Sequence, residues 1–176
     1  MPQFSFEGLE PQVHPGAFVA PTATLVGDVV VEEGASVWYG AVLRADYSPV
    51  IVRRGANVQD GAVLHGPPGM HTEVGPGATV AHNCVVHGAI LEEECLVANG
   101  VVVLDGARIG ERALVAAGSL VPANFVVPPK MLAAGSPAQI KRPITGSPAE
   151  FWVNTNPSAY AELAARHRAG VRWLRD

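Results

Sequence analysis

The sequence predicts a mainly β solenoid with an α-helix packed along its outside, and three observations support this prediction. An aliphatic residue recurs every six positions between Val19 and Val127, apart from three interruptions. A small residue stands two positions before almost every one of them. Hydrophobic residues make up 48% of the 176 residues but aromatic residues only 6%, so the apolar side chains are small and β-branched, which favours strands.

The six-residue period defines the strands. Each aliphatic residue and its small partner are two positions apart, so both point to the same side of a strand, which we expect to be the interior. Six residues are too few for a strand and a helix, so each unit is one short strand and one corner. The eighteen inward aliphatic positions are Val19, Leu25, Val31, Val37, Leu43, Val52, Val58, Leu64, Val74, Val80, Val86, Leu91, Val97, Val103, Ile109, Val115, Val121 and Val127.

The repeat resembles that of the hexapeptide-repeat proteins over about residues 11–140. This resemblance implies a left-handed parallel β-helix with three strands in each triangular coil. It divides the chain into a β-helix domain, residues 1–140, and a C-terminal helical tail of the same domain, residues 141–176. Cys84 and Cys95 both occupy the small inward slot, where a thiol packs as a compact apolar side chain.

The period is interrupted at three places, which we expect to be loops at the corners of the coil. Three extra residues lie within 43–52, four lie within 64–74, and one residue is missing within 86–91. After the last coil, Gly135–Ala138 predicts a turn.

The tail carries helix signals. Ser147–Glu150 is a capping box with proline at the first helical position, and Asn156–Pro157 predicts a second helix start. One apolar stripe at helical spacing is expected to pack along the solenoid. Its members are Tyr160, Leu163, Ala164, His167, Val171 and Leu174.

Charge and hydropathy exclude several classes of partner. The net charge is −4, the isoelectric point is about 5.8, and no cluster of Lys and Arg is present, so a nucleic-acid partner is not expected. No apolar run approaches the ~18 residues of a membrane span, and the N-terminus lacks the pattern of a secretory signal. We therefore expect a cytoplasmic protein without a membrane partner.

Three polar residues follow inward aliphatic positions in one column of the coil. After correction for the inserted residues, Arg44, His65 and His87 are eighteen positions apart, which is one full coil of three repeats. Neighbouring rungs are roughly 4.8 Å apart, so the two imidazoles can converge on one metal ion. His82 lies one repeat before His87, on a different strand, so within one chain it points away from that column. Three copies packed side by side would bring His82 of a neighbour into the column.

Several segments together resemble the γ-class carbonic anhydrase family. These segments are Val37–Asp46, Asn57–Asp60, His65, Ala81–Gly88 and Val103–Gly106. The resemblance implies a homotrimer in which His65 and His87 of one subunit and His82 of the next bind Zn²⁺, with Fe²⁺ or Co²⁺ as alternatives. It also implies roles for six further residues. Gln59 and Asn57 lie near the metal-bound solvent, Arg44 and Asp60 meet at the subunit contact with Asp46 beside them, and Tyr160 of the tail reaches a neighbour's site.

The function expected from this resemblance is the reversible hydration of carbon dioxide to bicarbonate. Three neutral imidazoles leave zinc with an open position, which lowers the pKa of bound water toward ~7 and supplies hydroxide. Gln59 can orient that hydroxide, and Arg44 either binds bicarbonate or forms an ion pair with Asp46 or Asp60. The family's acidic proton-export loop is missing, since Glu73 is the acidic residue near the short insertions.

Two alternatives stay open. A hexapeptide-repeat acyltransferase would share the solenoid and use one histidine base with an acyl-CoA or acyl-carrier cleft. A non-catalytic trimeric metal-binding or assembly protein would use the ion only to join subunits. Among the other histidines, His71 lies near His65 as a candidate proton shuttle, and His167 is expected to pack on the helix stripe.

Overall fold

The computed structural model describes residues 2–174, and its backbone forms a parallel β-helix with a helix along one side. The predicted mainly β fold, a left-handed β-helix of hexapeptide repeats with a C-terminal helix packed on it, is confirmed. The helix is α1 (Pro148–Gly170). Residues 1, 175 and 176, at the ends of the two predicted segments, lie outside the described residues.

Successive strands visit three faces of the coil in turn. The first face carries β8 (Val63–His65), β11 (Val85–His87), β14 (Val102–Val103) and β17 (Leu120–Val121). The second face carries β9 (Thr72–Val74), β12 (Ile90–Leu91), β15 (Arg108–Ile109) and β18 (Val126–Val127). The third face carries β3 (Phe18–Val19), β5 (Ser36–Val37), β7 (Asn57–Val58), β10 (Thr79–Val80), β13 (Leu96–Val97), β16 (Leu114–Val115), β19 (Met131–Gly135) and β20 (Ala138–Pro143).

Two longer strands join the first and second faces. They are β4 (Thr24–Val31) and β6 (Val42–Val52), and the short N-terminal strands β1 (Gln3–Phe4) and β2 (Gln12–Val13) pair with β4. All of these pairs are parallel, and β19 with β20 forms the antiparallel pair around the predicted turn at Gly135–Ala138. Consecutive coils therefore stack rung upon rung, and this stacking sets which side chains meet outside.

The interior is filled as the repeat predicts. All eighteen aliphatic positions are buried, and so are most of the small residues two positions before them. Cys84 and Cys95 are buried free thiols in this row, and burial raises the pKa of Cys84 to about 11. The thiols therefore pack as apolar side chains, as predicted.

The first insertion is not a corner loop, contrary to the prediction. It lies inside β6, where Gly27 pairs with Ala45 but Val29 pairs with Val50, so the extra residues bulge from the ladder. The strand continues because β4 pairs with it on both sides of the bulge. The bulge matters for function because it places Asp46 and Tyr47 beside His65.

The tail differs from the prediction in its helix boundaries. The expected second start at Asn156–Pro157 is wrong, since Pro157 lies inside the single helix α1. Burial of Val153 on one side of the proline and Ala164 on the other holds both halves against the third face. Ser147 is the N-cap but makes no side-chain cap bond, and Glu150 instead accepts a hydrogen bond from the backbone N–H of Gly146 at 2.7 Å.

The boundary proposed at residues 140 and 141 falls within β20. The apolar stripe packs as far as His167, but Val171 and Leu174 lie beyond the helix and are exposed. Within residues 2–174, no helix combines the length and the apolarity needed to cross a membrane.

An ion-pair cluster at one corner joins three rungs of the coil. Arg53 donates to Glu73 from Nε to Oε1 at 3.0 Å and from Nη2 to Oε2 at 2.9 Å. Its Nη1 donates to Oε1 of Glu32 at 2.8 Å. These bonds hold the pKa of both carboxyl groups below the usual range, although burial acts in the opposite direction.

This cluster leads to a prediction about acid stability. The pKa of Glu73 is lower in the folded state than in the unfolded state. Ionised Glu73 therefore stabilises the fold above the unfolded pKa of about 4.3, and this stabilisation is lost as the pH falls through the lower, folded pKa. We expect Glu73→Gln to weaken the pH dependence of the free energy of unfolding between about pH 5 and 3, measured by urea denaturation. Glu33→Gln is the control, because the Arg54–Glu33 pair is 74% and 55% exposed. An unchanged pH dependence in Glu73→Gln would contradict the prediction.

Candidate functional site

The predicted column of Arg44, His65 and His87 lies on the first face. The strand register pairs Arg44 with His65 and His65 with His87, so the spacing argument is confirmed. His65 Nδ1 lies 2.9 Å from His87 Nε2, and the ring centroids are 5.0 Å apart. The two imidazoles therefore face each other on adjacent rungs.

A carboxylate holds the far nitrogen of each imidazole. His65 Nε2 lies 2.8 Å from Asp46 Oδ1, and His87 Nδ1 forms a short contact with Asp105 Oδ1. Burial would raise the pKa of Asp46, but hydrogen bonds from His65 and Arg44 outweigh it, so the pKa of this carboxyl lies below its usual value. Both carboxylates therefore accept N–H bonds from the rings.

The facing nitrogens of the two rings can bind a cation between them. When both far nitrogens carry their protons to the carboxylates, neutral rings present two lone pairs only 2.9 Å apart. Two metal–nitrogen bonds of about 2.1 Å can span that distance. Metal-ligating histidines usually donate their other N–H to a carboxylate, as His65 and His87 do here. The donor nitrogens of His65 and His87 are therefore suited to bind a divalent metal ion.

Arg44 pairs with Asp46 and not with Asp60. Its side chain is 46% exposed at the edge of the first face, so its predicted place at a subunit contact stays a prediction. Asp60 lies with His82 instead, where its Oδ2 is 3.0 Å from Nδ1 of the ring.

His82 lies apart from the other two histidines, as its position in the repeat predicts. It follows β10 on the third face, whereas His65 and His87 lie on the first. In the part of the chain that the structure describes, no three His, Cys, Asp or Glu side chains come together to hold a metal ion. A three-histidine site therefore needs a second copy of the chain.

His82 is the middle member of a hydrogen-bonded chain of three side chains. Asp60 contacts Nδ1, and the Tyr160 hydroxyl lies 3.2 Å from Nε2. Burial, with a contribution from the charge on Asp60, raises the pKa of the Tyr160 phenol, so it stays protonated and can donate. Tyr160 was expected at a neighbour's site, and the structure places it on His82 of its own chain.

A groove of about 520 Å³ opens beside this chain, between the third face and α1. Its floor consists of small residues on successive rungs, Ala81, Ala98 and Ala116, and Leu96 and Leu114 also line it. From the helix, residues four apart reach over it because they share one face. These helix residues are Trp152, Asn156 and Tyr160.

Gln59 and Asn57 form a buried amide network at the groove's edge. Gln59 Nε2 donates to Asn57 Oδ1 at 2.9 Å, and Asn57 Nδ2 donates to Thr79 Oγ1 at 2.9 Å. Gln59 is 2% exposed and Asn57 is 1% exposed. Their predicted position near metal-bound solvent is not tested within one chain.

The remaining histidines lie outside the groove. His71 is 3.6 Å from Glu73 on the exposed loop between β8 and β9, and its proposed proton transfer stays a prediction. His167 packs against Phe18 and Trp38 and hydrogen-bonds the Tyr39 hydroxyl at 3.0 Å, so its predicted packing role is confirmed.

Sequence reasoning missed Asp105 and Trp152. Asp105 lies in a segment that carried the family resemblance, but Val86 pairs with Val103, so Leu104 continues the histidine column and Asp105 lies one residue beyond it. Trp152 precedes the expected second helix start, so the predicted stripe did not include it. Trp152 and Asn156 lie eight and four residues before Tyr160, on the same face of a helix, and this spacing is the signal that identifies Trp152.

Comparisons with known proteins give relatives along almost the whole chain. Carnitine operon protein CaiE of Salmonella agona is 42% identical over 173 residues, covering 97% of this chain and 86% of that protein. The CaiE of Citrobacter koseri is 43% identical over 173 residues, with the same coverage. The chain belongs to the hexapeptide-repeat family of CaiE. No family model matches the sequence.

Two solved structures agree with this family. A hexapeptide transferase family protein from Anaplasma phagocytophilum has a TM-score of 0.89 and 32% identity, covering 97% of this chain and 98% of that one. A Bacillus cereus protein described as a candidate acetyltransferase has a TM-score of 0.92 and 33% identity, covering 95% and 96%.

These comparisons correct the function expected from the γ-class resemblance. The relatives carry the names of CaiE and of transferases, so the prediction of a carbonic anhydrase, a lyase acting on carbon dioxide and bicarbonate, is wrong. Zinc has no support from the comparisons either. The resemblance led to the wrong activity because proteins that share one scaffold can carry different chemistry, which depends on the site.

Proposed function

We propose that this member of the CaiE family is an acyltransferase, in which His82 is the general base. The observation that carries the proposal is the Asp60–His82 pair at the end of a groove large enough for a small molecule. The 32–33% identical structures described as transferases support the same class of reaction.

Asp60 and His82 have different roles in the proposed reaction. Asp60 accepts the Nδ1–H of His82, which leaves Nε2 with the lone pair that can take a proton. An acceptor hydroxyl or amine takes the place of the Tyr160 hydroxyl at Nε2 and loses its proton to the ring as it attacks the carbonyl of an acyl thioester. The new C–O or C–N bond forms, the C–S bond breaks, and the imidazolium returns the proton to the leaving thiolate. Asp60 stabilises the transient positive charge on the ring.

Thiol release tests this reaction directly. Purified protein is mixed with acetyl-CoA and a panel of alcohols and amines, free thiol is followed with a chromogenic disulfide, and the acylated product is identified by mass spectrometry. We expect thiol release that depends on the acceptor and matches the product one to one. Binding of acetyl-CoA without product from any acceptor would contradict the proposal.

We also propose that the protein forms a homotrimer through its first face. The outward side chains of this face form an uninterrupted aliphatic row, in register from Val42 on β6 to Leu120 on β17. Val63, the second residue of the row, is 38% exposed in the single chain. Exposed apolar rows of this kind are typical of subunit interfaces. On the second face, charged Glu73 and Arg108 interrupt the corresponding row.

The trimer proposal predicts the effect of a charge in this row. Wild-type protein is expected to sediment as three copies of 18.3 kDa. Val85→Glu introduces a buried, unpaired carboxylate at the interface, and we expect it to dissociate the assembly in analytical ultracentrifugation. Val126→Glu, on the second face where Val126 is 55% exposed, is the matched control and should leave the mass unchanged. A monomeric wild type would overturn the proposal.

Metal binding at His65 and His87 is a second candidate function, supported by their nitrogen separation of 2.9 Å. These two residues, with His82 of another copy as the third donor, would hold a divalent transition metal. The metal would take the Nε2 lone pair of His82, so this function excludes the role of His82 as a general base. When bound, such an ion supplies a Lewis acid that polarises a carbonyl oxygen.

Metal content tests this candidate without any assay of activity. We expect about one divalent transition metal per chain after purification without chelator, measured by plasma mass spectrometry. His65→Ala removes one donor and should lower the retained metal at least about tenfold. His71→Ala is the control, since His71 is 48% exposed and contacts Glu73. Equal metal content in the wild type and His65→Ala would argue for a shared proton between the rings instead.

A further inference from the structure

The groove beside His82 is almost uncharged. Its lining residues include neither Lys, Arg, Asp nor Glu, and its titratable side chains are His82 and Tyr160, both at one end. The amides of Gln59, Asn99 and Asn156 supply most of its remaining polar atoms, and the rest of the lining is apolar. A charged ligand would therefore lose its hydration without gaining an opposite charge, which is costly.

The depth of the groove comes from small side chains at one position of the repeat. Ala98 and Ala116 follow inward valines on adjacent rungs of the third face. Larger side chains occupy the same repeat position on earlier rungs. Gln59 lies two rungs before Ala98 and is nearly fully buried, and Trp38 lies one rung before Gln59 and is 2% exposed. The larger side chains close the groove on that side, while the alanines leave room under α1.

A polar atom at the closed end lacks a partner within residues 2–174. Gln59 is 98% buried and its Nε2 donates to Asn57, but its Oε1 accepts no hydrogen bond from the described residues. No fully buried side-chain N or O atom of the described residues lacks a partner, so Oε1 is not sealed off, and a ligand O–H or N–H in the groove can donate to it. The groove thus combines an apolar lining with a hydrogen-bond acceptor, Gln59 Oε1, at the same end as His82.

We infer that this groove is the acceptor subsite and that it selects an uncharged alcohol or amine with an apolar body over anionic compounds. The inference rests on the proposed acyl transfer, because His82 is the base that deprotonates the acceptor. Ala98 and Ala116 then determine specificity, since their small size sets the space available to the acceptor's body. The acceptor hydroxyl or amine lies at the His82 end, and the apolar body lies along the alanine floor beneath Trp152.

A matched pair of ligands tests this selectivity without an acyl donor. Binding of 4-phenylbutan-1-ol and of 4-phenylbutanoate to the full chain is measured by ligand-observed NMR and calorimetry. The two share the phenylpropyl body and differ in the end group, which is a neutral CH2OH in one and a carboxylate in the other. We expect the alcohol to bind at least about tenfold more tightly than the acid. Equal or tighter binding of the acid would overturn the inference, and this comparison requires no variant to fold.

Two variants then locate the binding. Ala116→Leu fills the floor and should weaken alcohol binding about tenfold or more, with folding checked by circular dichroism. Ala165→Leu makes the same substitution on an exposed part of α1 outside the groove lining and should leave binding unchanged. Undiminished alcohol binding in a folded Ala116→Leu would overturn the assignment of the groove.

The acyl-transfer assay separates the two proposals. Alcohol binding that is sensitive to Ala116→Leu, but with no transfer from acetyl-CoA to any acceptor, would support the selectivity of the groove and overturn the reaction. Transfer to the alcohol at an unchanged KM in Ala116→Leu would support the reaction and overturn the subsite.

Discussion

We expect replacement of His82 by alanine to lower the rate of the proposed acyl transfer by about 10²- to 10⁴-fold, the range that a positioned general base contributes. The imidazole is the proposed base because Asp60 occupies its Nδ1 and leaves Nε2 facing the groove. The measurement is kcat/KM for thiol release with an acceptor that supports turnover. Because His82 is 40% exposed and outside the core, the variant is expected to keep the wild-type fold.

The control for this experiment is His71→Ala. His71 is also a half-exposed histidine, but it lies on the loop between β8 and β9 and contacts Glu73 rather than the groove. Its replacement should leave kcat/KM within about twofold. Transfer at the wild-type rate in a folded His82→Ala would show that the base is another group, and the proposed mechanism would fail.

Leu91→Ala is expected to lower the free energy of unfolding by about 2–5 kcal/mol. Leu91 belongs to the inward row, is 0% exposed, and is one of the largest fully buried side chains of the coil. Its truncation removes buried apolar surface and leaves a cavity, because rungs fixed by parallel strand pairs on both sides can close only partly. Urea denaturation followed by circular dichroism measures the change.

Glu93→Ala is the neighbouring control for this prediction. The side chain of Glu93 is exposed, two residues from Leu91, and the substitution should change the free energy of unfolding by no more than about 0.5 kcal/mol. A loss below about 1 kcal/mol for Leu91→Ala would mean that the coil collapses around missing core volume. The interior would then be less tightly constrained than its strand register indicates.

The repeat made the β-helix predictable to the level of individual side chains. Each inward position requires a residue of similar size. All eighteen of these positions are therefore aliphatic, and the period can be recognised in the sequence. The same count predicts that His65 and His87 lie on adjacent rungs and that His82 lies away from both, as the structure has them. The tail was less predictable, because packing on the third face kept Pro157 within one helix.

The candidate site depended on contacts between segments that no local spacing connects. Tyr160 meets His82 across 78 positions, so its assignment to a neighbour's site could not be checked from sequence. Asp105 contacts His87 from one residue beyond the column position, which the count of eighteen does not predict. The family resemblance indicated the scaffold correctly but not the activity, since related scaffolds carry different sites.

The sequence by itself determined the solenoid, its buried rows and its histidine column, because a six-residue period specifies which side chains point inward and which rungs stack. The tertiary structure decided that α1 spans the third face and encloses a groove over Ala98 and Ala116. It also decided that Asp60, His82 and Tyr160 form one hydrogen-bonded chain. The physical reason is that a repeat encodes contacts between neighbouring rungs, whereas the tail's docking follows from side-chain packing between distant segments.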